Sequence, residues 1–269
     1  MNILIVILAI VVLLLAYYIY TVVTAVPVIG KNIDLTQLPV SVKSSSITNP
    51  YSANYTIGVW IYVSNFTSNN KIGTFLVYGK TNDTFFLEMD TNTPDLYCNI
   101  KTNKSTAGTT PTPIYQRIKI NNASESFPIQ SWTYVTVSVS SIFIECYMNG
   151  RFVSATKVIS DGLYVEGAGT GEAKDAGPAF KFGAKDTVVT RSSTTAGVTT
   201  IPATTPTNKR TDGSPIFLTG LSRWDYPLSA GDVYNNYMKG NGYSNIWGSP
   251  YHMDVNLKKG TDNYVMNIF

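Results

Sequence analysis

The chain has 269 residues, a formal net charge of +3 and a charged fraction of only 14%, where about 25% is usual for soluble domains. No Lys/Arg block stands out, which excludes recognition of a phosphate backbone and so nucleic acid as a partner. The length leaves room for one large all-β domain plus an anchor, or for two small domains.

The first thirty residues carry no charged side chain, and Ile3 to Val26 are nearly all Ile, Val, Leu, Ala and Tyr. Crossing about 30 Å of hydrocarbon takes about 20 such residues at 1.5 Å rise each, so residues 1–26 are expected to be a single transmembrane helix. Tyr17, Tyr18 and Tyr20 would sit at the headgroup level, with Lys31 just beyond. A cleaved signal peptide normally has a basic start and an apolar core of about 7–15 residues, and this run has neither feature. Lys31 and Lys43 follow the span while no Lys or Arg precedes it, a bias toward a C-terminal domain on the cytoplasmic side. Five Asn-X-Ser/Thr sequons, at Asn54, Asn65, Asn82, Asn103 and Asn122, point the other way. A chain this rich in Asn, Ser and Thr holds about four by chance, so they do not decide the matter.

Residues 27–50, with Pro27, Pro39, Pro50 and the run Ser44 to Ser46, read as a polar, extended stalk. Strand periodicity then begins. Tyr55, Ile57, Val59, Ile61 and Val63 share one face, as do Val135, Val137 and Val139 within Trp132 to Val139. Ile144, Cys146 and Met148 alternate likewise, and Asn149-Gly150 joins them to a strand from Arg151 to Val158. Asn-Gly between such runs signals a hairpin, since a type I′ turn needs positive φ at both central residues. Further strands are expected at Lys71 to Tyr78, Phe85 to Met89, Leu96 to Lys101, Ile114 to Ile120, Ala179 to Phe182 and Ile216 to Trp224. Many short antiparallel strands imply a sandwich or barrel. One short helix is expected after Ser229, which has capping-box spacing to Asp232; Gly240 supplies its stop. The Thr-rich stretches Lys104 to Pro113 and Thr187 to Pro215 cannot bury apolar area and read as loops. The tail, residues 241–269, carries Trp247, Tyr251, Tyr264 and Phe269 and is expected to cover a sheet edge.

Little chemistry is visible. Cys98 and Cys146 each fall on the apolar side of a strand, which suits either two reduced core thiols or a disulfide between neighbouring strands. Neither has metal-ligand spacing around it, and the only histidine, His252, lies in the tail, so no Ser-His-Asp or Cys-His scheme can be assembled. Glu88 and Asp90 share a strand face, the nearest approach to a glycosidase pair. Asp83, Asp161 and Asp175 are read as loop residues whose spacing fits no calcium loop. No catalytic, cofactor or metal site is expected.

The stretch Ala53 to Tyr62 resembles the opening strand of laminin-G-like, concanavalin A-like jelly-roll domains. Trp132 to Ser138 followed by Ile144 to Val153 resembles that family's central hairpin. Phe180 to Gly183 is similar to its short strand ending in Gly, and Leu218 to Tyr234 to its closing strand and helix. In order, these span residues 51–240. The resemblance implies a two-sheet antiparallel jelly-roll sandwich of about a dozen strands with one short helix. Glycosidases of this fold carry a further Glu two or three residues after the pair; Asn92 and Thr93 stand there instead, so no enzyme is expected. The architecture of anchor plus sandwich resembles virion membrane and minor capsid proteins of large icosahedral DNA viruses. It implies a structural docking protein whose partners are the lipid bilayer and capsid or scaffold proteins, at the interface of a virion inner membrane and its shell. The alternative is a cell-surface module for glycan binding or adhesion.

Overall fold

A computed structural model describes residues 8, 10–18, 28–30, 33–35, 40–66, 72–80, 83–90, 93–104, 112–121, 125–158, 162–165, 167, 173, 175–187, 198–199, 215–241, 254–259 and 262–267. The chain divides into two compact units, Val28–Asn241 and a second made of Met1–Pro27 with Gly242–Phe269.

In the larger unit, period-2 alternation produces two antiparallel sheets. The first contains β1 (Val28–Gly30), β2 (Ile33–Asp34), β4 (Tyr55–Val63), β9 (Trp132–Val139), β10 (Phe143–Met148), β11 (Arg151–Lys157) and β14 (Ile216–Trp224). Its order is β1-β14-β4-β9-β10-β11, with β2 also on β14. The second contains β3 (Val40–Val42), β5 (Ile72–Gly79), β6 (Asp83–Met89), β7 (Leu96–Lys104), β8 (Thr112–Lys119), β12 (Ala179–Thr187) and β13 (Val198–Thr199). Its order is β13-β8-β7-β6-β5-β12-β3. Every pairing is antiparallel.

One apolar core fills the space between the sheets. The expected face of β4 (Ile57, Val59, Ile61, Val63) meets Phe75, Phe85, Leu87, Ile100, Phe180 and Phe182 from the other sheet. Large antiparallel sheets bury one face each and leave the other free to be polar, which is why strict alternation suffices to write this fold. The Asn149-Gly150 turn forms as expected, with φ of +50° and +74°. The helix α1 (Ala230–Met238) starts at Ser229, whose hydroxyl accepts the Asp232 backbone N–H, and Gly240 follows it with φ +77°.

Three expectations change, and one left open is decided. The stretch read as a stalk supplies the edge strands β1, β2 and β3, which pair with β14 and β12. Strand β12 runs on to Thr187, past a register shift after Phe182, because the alternation is interrupted there by Gly183 and Ala184. Asp83 is the first residue of β6 rather than a loop residue. Of the two readings of the cysteines, the reduced core thiols hold: Cys98 on β7 and Cys146 on β10 lie in opposite sheets and are not bonded, with their Sγ atoms 4.0 Å apart across the core. Contact with the Cys146 thiol, then burial, push the Cys98 thiol up.

In the other unit, residues 10–18 are helical and Asp254–Lys259 pairs with Asp262–Asn267 as β15 and β16, a hairpin that sequence patterning does not suggest. Among the described residues no helix is long and apolar enough to cross a membrane. Tyr17 and Tyr18 end the described helical stretch; Tyr20 and Lys31 lie outside the described residues, as does most of the Thr-rich stretch 187–215.

Candidate functional site

The two outward faces of the sandwich differ in how completely they are finished. On the first sheet, Trp60, Tyr134 and Trp224 point away from the core. Tyr237 of α1 stacks on Trp60 at 5.6 Å and lies 6.4 Å from Tyr134. Gly58 is required here, since a Cβ would collide with the Tyr134 hydroxyl and lie 3.2 Å from Trp224. Burial pushes the Tyr134 phenol up to about 12. This half of the face is packed protein.

The side of the second sheet turned away from the core carries polar side chains from three adjacent strands, most of them buried. Phe85, Leu87 and Met89 of β6 enter the core, so Phe86, Glu88 and the following Asp90 point outward. The same alternation turns Tyr97, Asn99 and Lys101 of β7 outward, along with Tyr115, Arg117 and Lys119 of β8. Register then sets the rows: Phe86, Asn99 and Arg117 lie side by side, and Glu88, Tyr97 and Lys119 form the next row. Phe86, Tyr115 and Val77 of β5 make a small apolar cluster beside them, Phe86 and Tyr115 being 5.4 Å apart.

Arg117 is the hub. Its Nε donates to Glu88 Oε1, its Nη2 lies 3.7 Å from Asp90 Oδ2, and its guanidinium carbon sits 3.4 Å from the Tyr97 ring centre. In the next position Lys119 reaches Asp95 Oδ1 at 3.0 Å; Asn121 and Thr93 donate to the same carboxylate. Burial alone would raise the Asp95 carboxyl. Those hydrogen bonds and the Lys119 charge together hold it below its ordinary value. Lys101 lies over the Tyr164 ring at 4.2 Å and near Tyr115 at 5.8 Å.

Four side-chain atoms in this cluster have no hydrogen-bond partner: Asn99 Nδ2 and Oδ1, Glu88 Oε2 and Arg117 Nη2. Asn99 is 0% exposed and Glu88 1%. A buried polar atom left unpaired costs about 1–3 kcal/mol, so native structures rarely collect four in one place.

Of the residues singled out by sequence, Glu88 and Asp90 do share a face, but one guanidinium holds both. Asp175 pairs with Lys43 at 3.2 Å, and Asp161 lies outside the described residues. Among the described residues no group of acids, cysteines and histidine could hold a metal ion. Arg117, Asn99 and Tyr97 escaped sequence reading. Their signal was present as the polar half of two strands whose apolar half alone was used.

The fold defines a class, the two-sheet jelly-roll-like β-sandwich. No family model matches the sequence, and no curated protein matches it. Solved structures do. The ligand-binding domain of botulinum neurotoxin serotype D in complex with N-acetylneuraminic acid aligns with a TM-score of 0.52 and 13% identity, over 84% of this chain and 47% of that one. The receptor-binding domain of the botulinum neurotoxin C/D mosaic serotype gives 0.52 and 12%, over 88% and 53%. That of botulinum neurotoxin D gives 0.52 and 13%, over 84% and 48%. The chain thus spans about half the length of these structures, and at such identities the likeness is one of fold.

Proposed function

We propose that this chain is a non-catalytic carbohydrate-binding module, tethered to a bilayer by its N-terminal segment and displayed on the side where glycans lie. The observation that carries the reading is the cluster of unpartnered donors and acceptors on Glu88, Asn99 and Arg117, flanked by the rings of Tyr97, Phe86 and Tyr115. A sugar offers hydroxyls that both donate and accept, on a ring with apolar faces, and so answers both halves of that surface. A structure of similar fold is described as bound to N-acetylneuraminic acid, which supports the glycan class.

Hydrolysis is disfavoured by the placement of the carboxylates. Glycosidases need one carboxylic acid to protonate the leaving group and a second carboxylate opposite it. Here Glu88 and Asp90 both face the same Arg117. For the tether, the described apolar side chains of residues 10–15 are about half exposed or more, Leu13 reaching 70%, and such a surface is stabilised by hydrocarbon rather than water. Tyr17, Tyr18, Tyr20 and Lys31 are then the residues at the membrane interface. Display of the domain outside the cytoplasm reverses the orientation suggested by Lys31 and Lys43.

A second reading, docking to other structural proteins such as a capsid shell, is favoured by one observation. On the first sheet's outward face, Phe217, Tyr62 and Trp132 form an aromatic row with centroids 6.2 and 5.4 Å apart, and Trp132 is 37% exposed. One experiment separates the two readings: the full chain in lipid nanodiscs, screened against immobilised glycans. Saturable binding to a subset of glycans, lost in Tyr97→Ala and kept in Trp132→Ala, is expected. No binding to any glycan overturns the carbohydrate reading.

A further inference from the structure

Resting on the carbohydrate reading, we propose that the Glu88–Asn99–Arg117 cluster takes the vicinal diol of a neutral sugar rather than the carboxylate of an acidic one. The chemistry of the unpartnered atoms sets the match. Glu88 Oε2 can only accept, Arg117 Nη2 can only donate, and Asn99 offers one of each. Two adjacent hydroxyls supply both donors and acceptors at neighbouring positions and can satisfy this mixed set. A carboxylate only accepts, and would leave Glu88 Oε2 and Asn99 Oδ1 facing a further acceptor.

Charge points the same way. The three described cations of β7 and β8 beside the cluster are already engaged: Arg117 with Glu88 and Asp90, Lys119 with Asp95, and Lys101 against the Tyr164 and Tyr115 rings. Three carboxylates, Glu88, Asp90 and Asp95, surround the two guanidinium and ammonium groups nearest the unpartnered atoms. With Lys101 counted, these three carboxylates balance three cations, so an incoming anion would find no net attraction in a poorly solvated place, where its burial is costly. Glu88 and Asn99 form the floor. Arg117, whose side chain is 16% exposed, and Lys119, at 27%, form the rim, so a sugar reaches the floor as Lys119 turns aside while Arg117 stays on Glu88. Sugar hydroxyls replace hydrogen bonds to water with similar ones to protein, so the affinity is expected to be on the order of millimolar.

The test uses the full chain in nanodiscs and saturation-transfer NMR with three probes: methyl α-mannoside, its 2-deoxy analogue, and the methyl glycoside of N-acetylneuraminic acid. The neutral glycoside should bind, the deoxy analogue about tenfold more weakly for the lost hydrogen bonds, and the acidic one more weakly still. Asn99→Leu should abolish binding of the neutral glycoside while leaving the fold intact by circular dichroism. Preference for the acidic glycoside, with Asn99→Leu abolishing its binding, overturns the diol assignment and leaves the carbohydrate reading standing. Binding of the neutral glycoside unchanged in Asn99→Leu removes the site. If none of the probes binds, in company with a blank glycan screen, both readings fall.

Discussion

The two outward faces of this sandwich follow one rule of alternation and end in opposite states. On the first sheet, α1 lays Tyr237 on Trp60 and Tyr134, and the Asn149-Gly150 turn lies so close that a Cβ on Gly150 would meet Tyr237 at 3.0 Å. On the second, Arg117 ties Glu88 and Asp90 to the Tyr97 ring, yet Asn99 is left with neither side-chain atom paired. The half of the first face beneath α1 is packed by the chain's own aromatic rings. The second keeps buried donors and acceptors without partners, and the functional proposal is that a hydroxylated ligand supplies them.

The comparison can be broken most forcefully at Trp60. Trp60→Ala removes the ring beneath α1 and should cost about 3–5 kcal/mol of unfolding free energy, read as a shift of the urea midpoint at unchanged slope. Next in size is Arg117→Ala, which leaves Glu88 buried without its counterion. About 3 kcal/mol should be lost, and adding Glu88→Leu should restore most of it. Failure of that second change to rescue would mean that Arg117 stabilises by packing on Tyr97 rather than by pairing.

Smaller effects sharpen the contrast. Ser229→Ala deletes the hydroxyl that accepts the Asp232 N–H and should cost about 1 kcal/mol, with α1 loosened from Trp60 as seen in tryptophan fluorescence. The smallest concerns acid. Asp95 is held below its ordinary carboxyl value in the fold, so its contribution to stability is full above the unfolded-state value of 3.8. It is lost as the pH falls below that value through the folded one. Asp95→Asn should therefore lower stability at pH 7, where the charged carboxylate contributes in full, and flatten the acid limb of the stability profile.

How far sequence carried can be judged at particular residues. The core face of β4, the turn at Asn149 and Gly150, and the cap at Ser229 were legible because each is a local pattern with one physical solution. Cys98 and Cys146 were correctly placed on apolar faces, but that they meet across the sandwich depends on sheet pairing, which no local pattern specifies. Asn99 and Arg117 illustrate the same limit. Alternation puts both on outward faces, yet only the register of β7 on β8 sets them side by side, and only the fold shows that Asn99 stays unpaired. The edge strands β1 to β3 were missed because strands of two or three residues, set among Pro27, Pro39, Pro50 and the Ser44 to Ser46 run, look like linker, and their strand character comes from the β12 and β14 edges they cover.

The most direct test of the central claim is thermal unfolding of the full chain in nanodiscs, with and without an excess of methyl α-mannoside, in the natural protein and in Asn99→Leu. An incomplete site implies that the natural protein's Tm rises with the sugar, by an amount set by its saturation. It also implies that Asn99→Leu shows no such rise and melts no lower than the natural protein, since it removes an unpaired buried amide. A natural protein indifferent to the sugar, together with a lower Tm for Asn99→Leu, would mean that the amide already has its partners and that this face is finished like the other.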